Sequence, residues 1–419
     1  MQKADLIIKN ANQLLTVKSG SSKIRTEMQN LGIIQNGAIA ILEGEIEGVG
    51  TTKEITENFI SENVIDATDK IVMPGFVDPH THPIFVKTRE NEFEMRIKGK
   101  SYKEISQSGG GIRSSVNDVR KASKAELVEL GLKRINKMLE MGTTTIEAKS
   151  GYGLSTASEI KMLETISEIN RISEMDIIPT FLGAHEFPEE YKNNPEEYIR
   201  ILIDEMLPEV KKRNLAEYCD IFCEKHVFNV EQSRRILSEA KKLGFKIRMH
   251  ADELEPIGGA ELAAELGAIS ADHLVAISDN GIQKMKEVDV IPILLPATTF
   301  SLGLKKYAPA RKMIDSGLPI ALATDFNPGS SHCDSMQTVI SLACIEMGLL
   351  PSEAIVASTI NAAYSLELGD TIGSIEVGKQ ADILILDMPS YKYLPYHLGS
   401  NCVDMVIKKG RVVFNNSQG

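Results

Sequence analysis

The sequence predicts an α/β fold: a (β/α)8 TIM barrel with a small β-sandwich domain formed from the N- and C-terminal segments. Three observations support this prediction. Eight short apolar stretches alternate with amphipathic helices over about 300 central residues. Both ends of the chain carry strand patterns instead. The first central strand ends in Asp78-Pro79-His80-Thr81-His82, where a dinucleotide-binding sheet would need a glycine-rich phosphate loop.

The two ends of the chain predict one composite domain. Their strand patterns are Ala4–Lys9, Gly37–Leu42, Glu45–Val49, Asn63–Asp66, Asp382–Asp387, Val403–Lys408 and Arg411–Phe414. Because these β-rich segments flank a different middle, we expect residues 1–66 and 370–419 to form the β domain. Residues 67–369 are then expected to form the barrel.

The middle of the chain supplies the barrel. Its strand patterns are Gly75–Asp78, Thr143–Glu147, Asp176–Phe181, Asp220–Glu224, Lys246–His250, Ala271–Leu274, Val290–Leu295 and Ile320–Thr324. The segments Lys124–Met141 and Pro195–Arg213 between them repeat apolar residues at helical spacing. Gly142 follows the first of these segments, at the place where a helix C-terminal cap is expected.

Composition narrows the class of protein. The 419 residues carry a net charge of −12, which argues against a nucleic-acid partner. The apolar stretches are far shorter than the ~20 residues of a membrane span, and Met1–Lys9 lacks the apolar core of a signal peptide. Five scattered cysteines indicate reduced thiols. We therefore expect a cytoplasmic protein that is not attached to a membrane.

Titratable residues gather at the carboxyl ends of the predicted strands, where TIM-barrel active sites are built. His80 and His82 follow the first strand, His250 closes the fifth, His273 the sixth and Asp325 the eighth. Imidazoles and a carboxylate suit a transition-metal ion with one position open for water. Such an ion lowers the pKa of its water to about 7 and makes a nucleophile available at neutral pH.

These residues also carry a resemblance to a known family. Pro74–His82 resembles the entry motif of the amidohydrolase superfamily, and a barrel with a composite β domain matches that superfamily. Within it, the chain is most similar to the cyclic-amide hydrolases of histidine degradation. The similar segments are Thr88-Arg89, Gly109–Ile112, Glu147–Gly153, Phe181–His185, His250–Glu253 and Thr324–Ser330.

The resemblance implies a function and a set of site residues. The reaction is hydrolysis of 4-imidazolone-5-propanoate, a small anion, to N-formimidoyl-L-glutamate. One zinc or iron ion per chain would be held by His80, His82, His250 and Asp325. The substrate would contact Arg89, Tyr152, His185, Glu253, Asn327, Gly329 and Ser330, with the Arg89 guanidinium forked onto the propionate. A homodimer is expected.

The catalytic roles stay open between three residues. His273 is a candidate donor to the oxyanion, Asp325 a candidate base for the water, and Glu253 a candidate acid for the departing nitrogen. Lys149, Lys225 and His226 receive no role, although relatives with two metals place a bridging lysine at a strand end.

Other interpretations remain. Arg89 lies in a charged stretch that is by default a solvated surface, Tyr102 is a weaker substrate candidate, and Gly109-Gly110-Gly111 is expected to be a lid. A ring deaminase or a hydantoin-type hydrolase of the same superfamily would use a similar centre, but a deaminase would leave the Arg89 and Tyr152 carboxylate pocket unexplained. A catalytically inactive scaffold relative would be expected to lack metal ligands, and here all four are present.

Overall fold

The computed structural model describes residues 1–100, 104 and 110–416. Its strands in chain order are β1 (Gln2–Lys3), β2 (Leu6–Leu15), β3 (Ile33–Leu42), β4 (Glu45–Thr51), β5 (Phe59–Ile60), β6 (Val64–Asp66), β7 (Ile71–Pro74), β8 (Phe76–Thr81), β9 (Thr143–Lys149), β10 (Asp176–Ala184), β11 (Tyr218–Cys223), β12 (Lys246–Ala251), β13 (Ser270–His273), β14 (Ile291–Leu294), β15 (Ala321–Leu322), β16 (Ile383–Leu386), β17 (Val403–Lys408) and β18 (Arg411–Asn415).

The helices cover the barrel and link its strands. They are α1 (Thr52–Asn58), α2 (Glu90–Ile97), α3 (Ile112–Lys121), α4 (Lys124–Glu140), α5 (Thr156–Ile172), α6 (Pro195–Ile201), α7 (Leu207–Lys212), α8 (Val230–Lys242), α9 (Gly259–Leu266), α10 (Asp279–Glu287), α11 (Pro296–Ser301), α12 (Ala310–Ser316), α13 (Met336–Met347), α14 (Pro351–Ala357), α15 (Ile360–Tyr364) and α16 (Tyr393–Tyr396). A π turn, Leu202–Met206, joins α6 to α7, so the predicted helix over 195–213 is continuous.

Eight parallel strands, β8 to β15, form one sheet in strict sequence order. The first and last strands approach each other through two hydrogen bonds at the carboxyl end. The His82 amide donates to the Phe326 carbonyl at 2.8 Å, and the Asp325 amide donates to the His80 carbonyl at 3.1 Å. The predicted barrel is confirmed, and its closure places the polar residues that follow β8 beside those that follow β15.

A second sheet combines both ends of the chain. Its order is β18-β17-β16-β7-β2-β3-β4, with β6 added beside β2. Strand β16 pairs antiparallel with β7, so the C-terminal segment completes a sheet that the N-terminal segment begins. Only Gly75 separates β7 in this sheet from β8 in the barrel. The composite β domain is therefore observed, while the boundaries 1–66, 67–369 and 370–419 stay predictions.

Buried charges also join the second sheet to the barrel. The Nζ atom of Lys408 is fully buried and lies 2.7 Å from Asp176 at the start of β10 and 2.6 Å from Asp382 just before β16. The negative charges of the two carboxylates offset the free-energy cost of removing the lysine charge from water. Within the described residues, no helix combines the length and apolarity needed to cross a bilayer. The five cysteines are free thiols.

Candidate active site at the carboxyl end of the barrel

Four histidine rings form a compact buried cluster where the strands end. The ring centroids of His80 and His250 are 4.5 Å apart, those of His80 and His82 are 5.3 Å apart, and those of His250 and His273 are 5.2 Å apart. All four residues are at most 4% exposed. Alternation along β8 directs His80 and His82 to the same side, as the i, i+2 spacing predicts.

The potential ligand atoms lie close together in two groups that share His80. The Nδ1 of His80 lies 2.6 Å from Asp272 Oδ2, and its Nε2 has no hydrogen-bond partner among the described residues. Both His80 Nε2 and His82 Nε2 lie 3.5 Å from Asp325 Oδ1. Potential ligand atoms lie within 4.8 Å of one another in two groups, His80–His82–His250 and His80–His273–Asp325. An orphaned imidazole nitrogen facing a carboxylate oxygen at this separation suits a bound cation.

The electrostatic state of the cluster also suits a cation. Burial lowers the pKa values of His80 and His82 well below the usual range, so both rings are neutral and present lone pairs. Burial raises the pKa of Asp325 to about 6, while the Thr298 hydroxyl donates to its Oδ2 at 2.6 Å. Thr298 thus leaves Oδ1 turned toward the histidines. The residues present fit a metal ion.

Glu253 lies beside the cluster on the loop after β12. Its carboxylate is 3.6 Å from His273 Nδ1, and its side chain is 16% exposed. Burial, with a smaller contribution from the negative charge of Asp325, raises its pKa to about 8. The backbone amides of Leu254 and Glu255 donate to Glu224 Oε2 at 2.9 and 3.3 Å, which fixes this loop. Glu253 is therefore a protonated acid at neutral pH.

Two of these residues have unusual backbone conformations. His273 has φ +73° and Asp325 has φ +52°. Residues other than glycine rarely adopt positive φ, and such positions concentrate at active sites, where the surrounding structure holds them. At the end of β13 and just after β15, these conformations turn the two side chains away from the direction that a continuing strand would give them.

Arg89 lies beyond the histidine cluster at the start of α2. Its Nε and Nη2 donate to the two carboxylate oxygens of Glu92 at 2.9 and 2.6 Å. The fork that the sequence assigns to a substrate carboxylate is thus engaged by a side chain of the same helix. The remaining nitrogen, Nη1, is so near Gly329 that a Cβ there would lie 2.3 Å from it. The guanidinium thus approaches the backbone so closely that position 329 has no room for a side chain.

Tyr152 and His185 lie beside the histidine cluster. The His185 ring stacks on His82 with centroids 5.2 Å apart, and the Tyr152 centroid lies 5.4 Å from that of His185. His185 Nδ1 donates to the Gly151 carbonyl at 3.0 Å, which leaves Nε2 as an acceptor. Burial, then the charge of His250, lowers the pKa of His185 to about 3, so the ring is neutral.

A buried carboxylate shapes the Tyr152 loop. Glu159 accepts hydrogen bonds from the amides of Gly151, Gly153 and Leu154, at 3.1, 2.7 and 2.9 Å to its nearer oxygens.

Asn327 fixes the turn after β15 in a similar way. Its Oδ1 accepts hydrogen bonds from the amides of Gly329 and Ser330, each at 2.8 Å. Asn327 Nδ2 donates to the Asp325 carbonyl and to Ser330 Oγ, so both ends of its amide group form hydrogen bonds within the turn.

A layer of charged side chains that the sequence did not predict lies beneath the histidines. Its members are Glu147, Lys149, Asp220, Arg248 and Asp272, all fully buried. The available signal was a glutamate and a lysine two residues apart in an otherwise apolar strand, which places both on one face. Thr298 was missed as well, because a threonine that starts a helix carries no specific signal.

Several other residues lie apart from the cluster. Lys225 and His226 are exposed and lie 2.9 and 3.8 Å from Glu255, and Lys225 is not buried in the centre as a bridging lysine would be. His332 packs on Phe326, with ring centroids 5.0 Å apart. Tyr102 and Gly109, named as a substrate residue and part of a lid, fall outside the described residues.

The sequence matches known proteins over nearly its full length. A model of the amidohydrolase family matches residues 71–413. Imidazolonepropionase of Alkaliphilus oremlandii is 51% identical over 413 residues, which cover 98% of each chain. Imidazolonepropionase of Clostridium tetani is 46% identical over 419 residues and covers 100% of each chain.

Solved structures share the fold. Escherichia coli guanine deaminase superposes with a TM-score of 0.73 at 16% identity, covering 98% of this chain and 99% of that one. An adenosine deaminase from Xanthomonas campestris with bound zinc superposes with a TM-score of 0.70 at 18% identity, covering 98% and 93%. At such identities the likeness establishes the architecture and not the substrate.

Proposed function

Because this chain belongs to the amidohydrolase family and, within it, to the imidazolonepropionases, we propose that the histidine cluster and the Arg89 pocket together open the ring of 4-imidazolone-5-propanoate. The enzyme is a hydrolase that acts on the C–N bond of a cyclic amide, and its product is N-formimidoyl-L-glutamate. The observation that carries the proposal is the buried His/Asp cluster at the carboxyl end of the barrel, in a chain 51% identical to an imidazolonepropionase.

His80, His82, His250 and Asp325 would hold a metal ion, and that ion would supply Lewis-acid activation of water and of the ring carbonyl. We assign one zinc or iron ion per chain, since imidazole and carboxylate ligands suit both. Asp325 accepts a proton from the attacking water, whose oxygen bonds to the carbonyl carbon. The neutral His273 ring donates a hydrogen bond to the oxygen that gains negative charge.

Glu253 completes the step as the acid. The bond between the carbonyl carbon and the ring nitrogen breaks, its electron pair stays on nitrogen, and the Glu253 carboxyl supplies that nitrogen with a proton. The raised pKa of about 8 keeps this proton available at pH 7. The proton held by Asp325 then restores Glu253 before the next turnover.

Arg89 recognises the propionate carboxylate. Its Nη1 faces the Gly329 turn and is free of the Glu92 contact, so it is the nitrogen available to an anion. The His185 ring and Tyr152 flank the imidazolone ring, with His185 Nε2 as an acceptor for a ring N–H. Glu253 faces the ring nitrogens, and the amides of Gly329 and Ser330 are committed to Asn327, so their turn contributes shape and the Ser330 hydroxyl.

The partners and the compartment are part of the same proposal. We propose a cytoplasmic enzyme that acts on a small anionic substrate, binds neither nucleic acid nor membrane, and forms a homodimer. The net charge of −12 supports the exclusion of nucleic acid.

The test is a product assay joined to metal analysis. The purified chain is incubated with 4-imidazolone-5-propanoate, and N-formimidoyl-L-glutamate is measured. Guanine, cytosine and hydantoins serve as alternative substrates, and bound zinc and iron are measured by elemental analysis. Turnover of the first compound alone, with about one metal ion per chain, is the expected result. Turnover of a ring amine or a hydantoin alone would replace the proposal with the corresponding alternative.

A further inference from the structure

The Tyr152 loop, residues 150–155, connects β9 to α5 and carries one of the two rings assigned to the substrate. Its backbone is unusual at two positions: Gly151 has φ +104°, and Leu154, which is not a glycine, has φ +48°. Residues other than glycine keep such a conformation only where the surrounding structure holds it. The contacts that hold this loop therefore decide where the Tyr152 ring lies.

Glu159 holds the loop from its own side. Its carboxylate accepts from three loop amides, but Glu159 belongs to α5, the helix that follows the loop directly. Its partners are only five to eight residues away in the sequence. Such local hydrogen bonds keep the loop compact, but they do not connect it to another segment of the barrel.

Arg120 on α3 holds the loop from outside. Its Nε donates to the Gly153 carbonyl at 2.8 Å, and its Nη2 donates to the Leu154 carbonyl at 2.7 Å. Gly153 and Leu154 are both buried, and within the described part of the chain no backbone amide donates to either carbonyl. Two buried acceptors thus depend on one guanidinium, and leaving a buried acceptor without a donor is costly.

Arg120 is itself fixed at both ends of its side chain. Its Nη2 lies 2.8 Å from Glu190 Oε1, in the segment that follows β10. At the backbone, Lys161 Nζ donates to the carbonyls of Val119, Arg120 and Ala122 at 2.8, 3.2 and 2.7 Å, where α3 ends. The guanidinium is therefore presented to the loop in one orientation, with its planar donors already ordered.

We propose that Arg120 is a positioning residue of the substrate pocket: through the Gly153 and Leu154 carbonyls it holds the Tyr152 ring where the substrate ring binds. The inference rests on the proposed function, in which Tyr152 flanks the imidazolone ring, and it assigns Arg120 no contact with substrate. Without these bonds the loop keeps its Glu159 contacts but moves as a unit, so the Tyr152 ring is in place for only a fraction of the time. Substrate binding is weakened by that fraction.

The test compares Arg120→Met with Arg113→Met. Arg113 is the matched control, because it lies seven residues earlier on the same face of α3 and pairs with Glu189, the neighbour of Glu190, rather than with the loop. Each substitution keeps most of the side-chain length and removes the charge and every donor. Circular dichroism and the melting temperature show whether each variant is folded.

Hydrogen exchange, followed by mass spectrometry without substrate, tests the contact with the loop. The amides of Gly151, Gly153 and Leu154 exchange when the loop opens away from Glu159. In Arg120→Met we expect exchange of residues 151–154 to be roughly tenfold faster or more, because hydrogen bonds from a charged donor no longer hold the loop. In Arg113→Met exchange of the same residues should match that of the parent.

Steady-state kinetics test the consequence for substrate. We expect KM of Arg120→Met to rise by roughly 10–100-fold and kcat to stay within about threefold of the parent value. Arg113→Met should match the parent in both. A residue with only a general structural role would reduce the amount of folded enzyme, which lowers the apparent kcat and leaves KM unchanged. If Arg120→Met does not fold, Arg120→Lys, which keeps the charge and one donor group, enters the same measurements with the same expected directions.

The outcomes distinguish this inference from the proposed function. A parent chain that does not turn over 4-imidazolone-5-propanoate overturns both. A parent that turns it over, with unchanged KM or unchanged loop exchange in the Arg120 variant, overturns only the inference. A loss confined to kcat, faster exchange spread over the whole chain, or equal effects in the Arg113 variant also overturn it, since each would mean that the two carbonyl contacts do not position Tyr152.

Discussion

The histidine cluster with Asp325, which forms the floor of the site, and the proposed anion pocket around Arg89 are built in different ways. On the floor, His80 and His250 lie near the carboxyl ends of β8 and β12, and Asp325 lies just after β15. Their partners, Asp272, Asp220 and Thr298, are fully or nearly fully buried. The anion pocket is made of α2 and the turn after β15, and the side chains of Arg89 and Glu92 are 14% and 9% exposed. The groups proposed to react are thus held by the sheet, whereas those proposed to recognise the substrate lie on segments that can vary.

The largest expected effect tests the floor. Asp325→Asn removes a metal ligand and the proposed base together, so we expect kcat to fall by about 10⁴-fold or more and metal content to fall with it. Steady-state kinetics and elemental analysis measure both. His226→Ala, an exposed histidine outside the cluster, is the control and should change neither. Full metal content with normal kcat in Asp325→Asn would contradict the proposed centre.

A smaller effect tests the acid that borders both regions. Glu253→Gln should lower kcat by roughly 10²–10³-fold. Because the acid must be protonated and its pKa is about 8, kcat/KM of the parent enzyme should be level near pH 7 and fall above about pH 8. A pH profile checks this, with Glu255→Gln as the control on the same loop. A parent profile that stays flat to pH 10 would exclude Glu253 as the acid.

The same carboxyl has a consequence for stability. Its pKa is higher in the folded chain than the ~4.3 of an exposed glutamate, so the folded state binds the proton more tightly. The stability it contributes is therefore present at low pH and is lost as the pH rises from about 4.5 to about 8. Metal-free Glu253→Gln should accordingly melt at a higher temperature than metal-free parent protein at pH 8, and the difference should vanish near pH 4.

The anion pocket is tested by Arg89→Met. Loss of a charged hydrogen bond of about 1.5–3 kcal/mol should raise KM by roughly 10–100-fold. The effect on kcat should be small, because Arg89 lies away from the ligand cluster. Arg113→Met, which removes an exposed arginine paired with Glu189, is the control. A loss confined to kcat would mean that the two regions are not separable.

The smallest effect sharpens the comparison within the pocket. Glu92→Gln keeps an oxygen for the Gly111 amide but removes the negative charge that faces Arg89. We expect KM for the anionic substrate to fall by up to about fivefold, because the substrate carboxylate would no longer compete with the Glu92 charge for Arg89, a hydrogen-bonded contact with a net value of roughly 1 kcal/mol. Glu94→Gln, exposed on the same helix, is the control. A rise in KM would show that Glu92 orients Arg89 rather than neutralising it.

Much of the floor could be predicted because strand ends are visible in the sequence. Apolar stretches locate β8 to β15, and polar residues directly after them must meet at one end of a closed parallel barrel. His80, His82, His250, His273 and Asp325 were found in this way. The resemblance added Arg89, Tyr152, His185 and Glu253, which no spacing rule would have selected.

The side-chain contacts that could not be predicted depend on the register between neighbouring strands and on the conformation of turns. His250 lies opposite Asp272 in the pairing of β12 with β13, yet alternation reports only which face a side chain takes and not its neighbour on the next strand. The contacts of Lys149 with Asp220 and Asp272 follow from the same stagger. Arg89 and Glu92 are only three residues apart, so their ion pair could be predicted from the sequence. The approach of Arg89 to the Gly329 turn, which decides which of its nitrogens stays free for a substrate carboxylate, could not be predicted from the sequence.

The pairing of β7 with β16 has a consequence for synthesis. The ribosome makes β7 about 300 residues before β16, which at ~5–20 residues per second is an interval of roughly 15–60 seconds. During that time the apolar strand Ile71–Pro74 has one unpaired edge, a surface on which nascent chains aggregate and chaperones bind. The barrel strands are all synthesised before β16, so the barrel can close while the edge of β7 is still unpaired. The second sheet is therefore started before the barrel and completed after it.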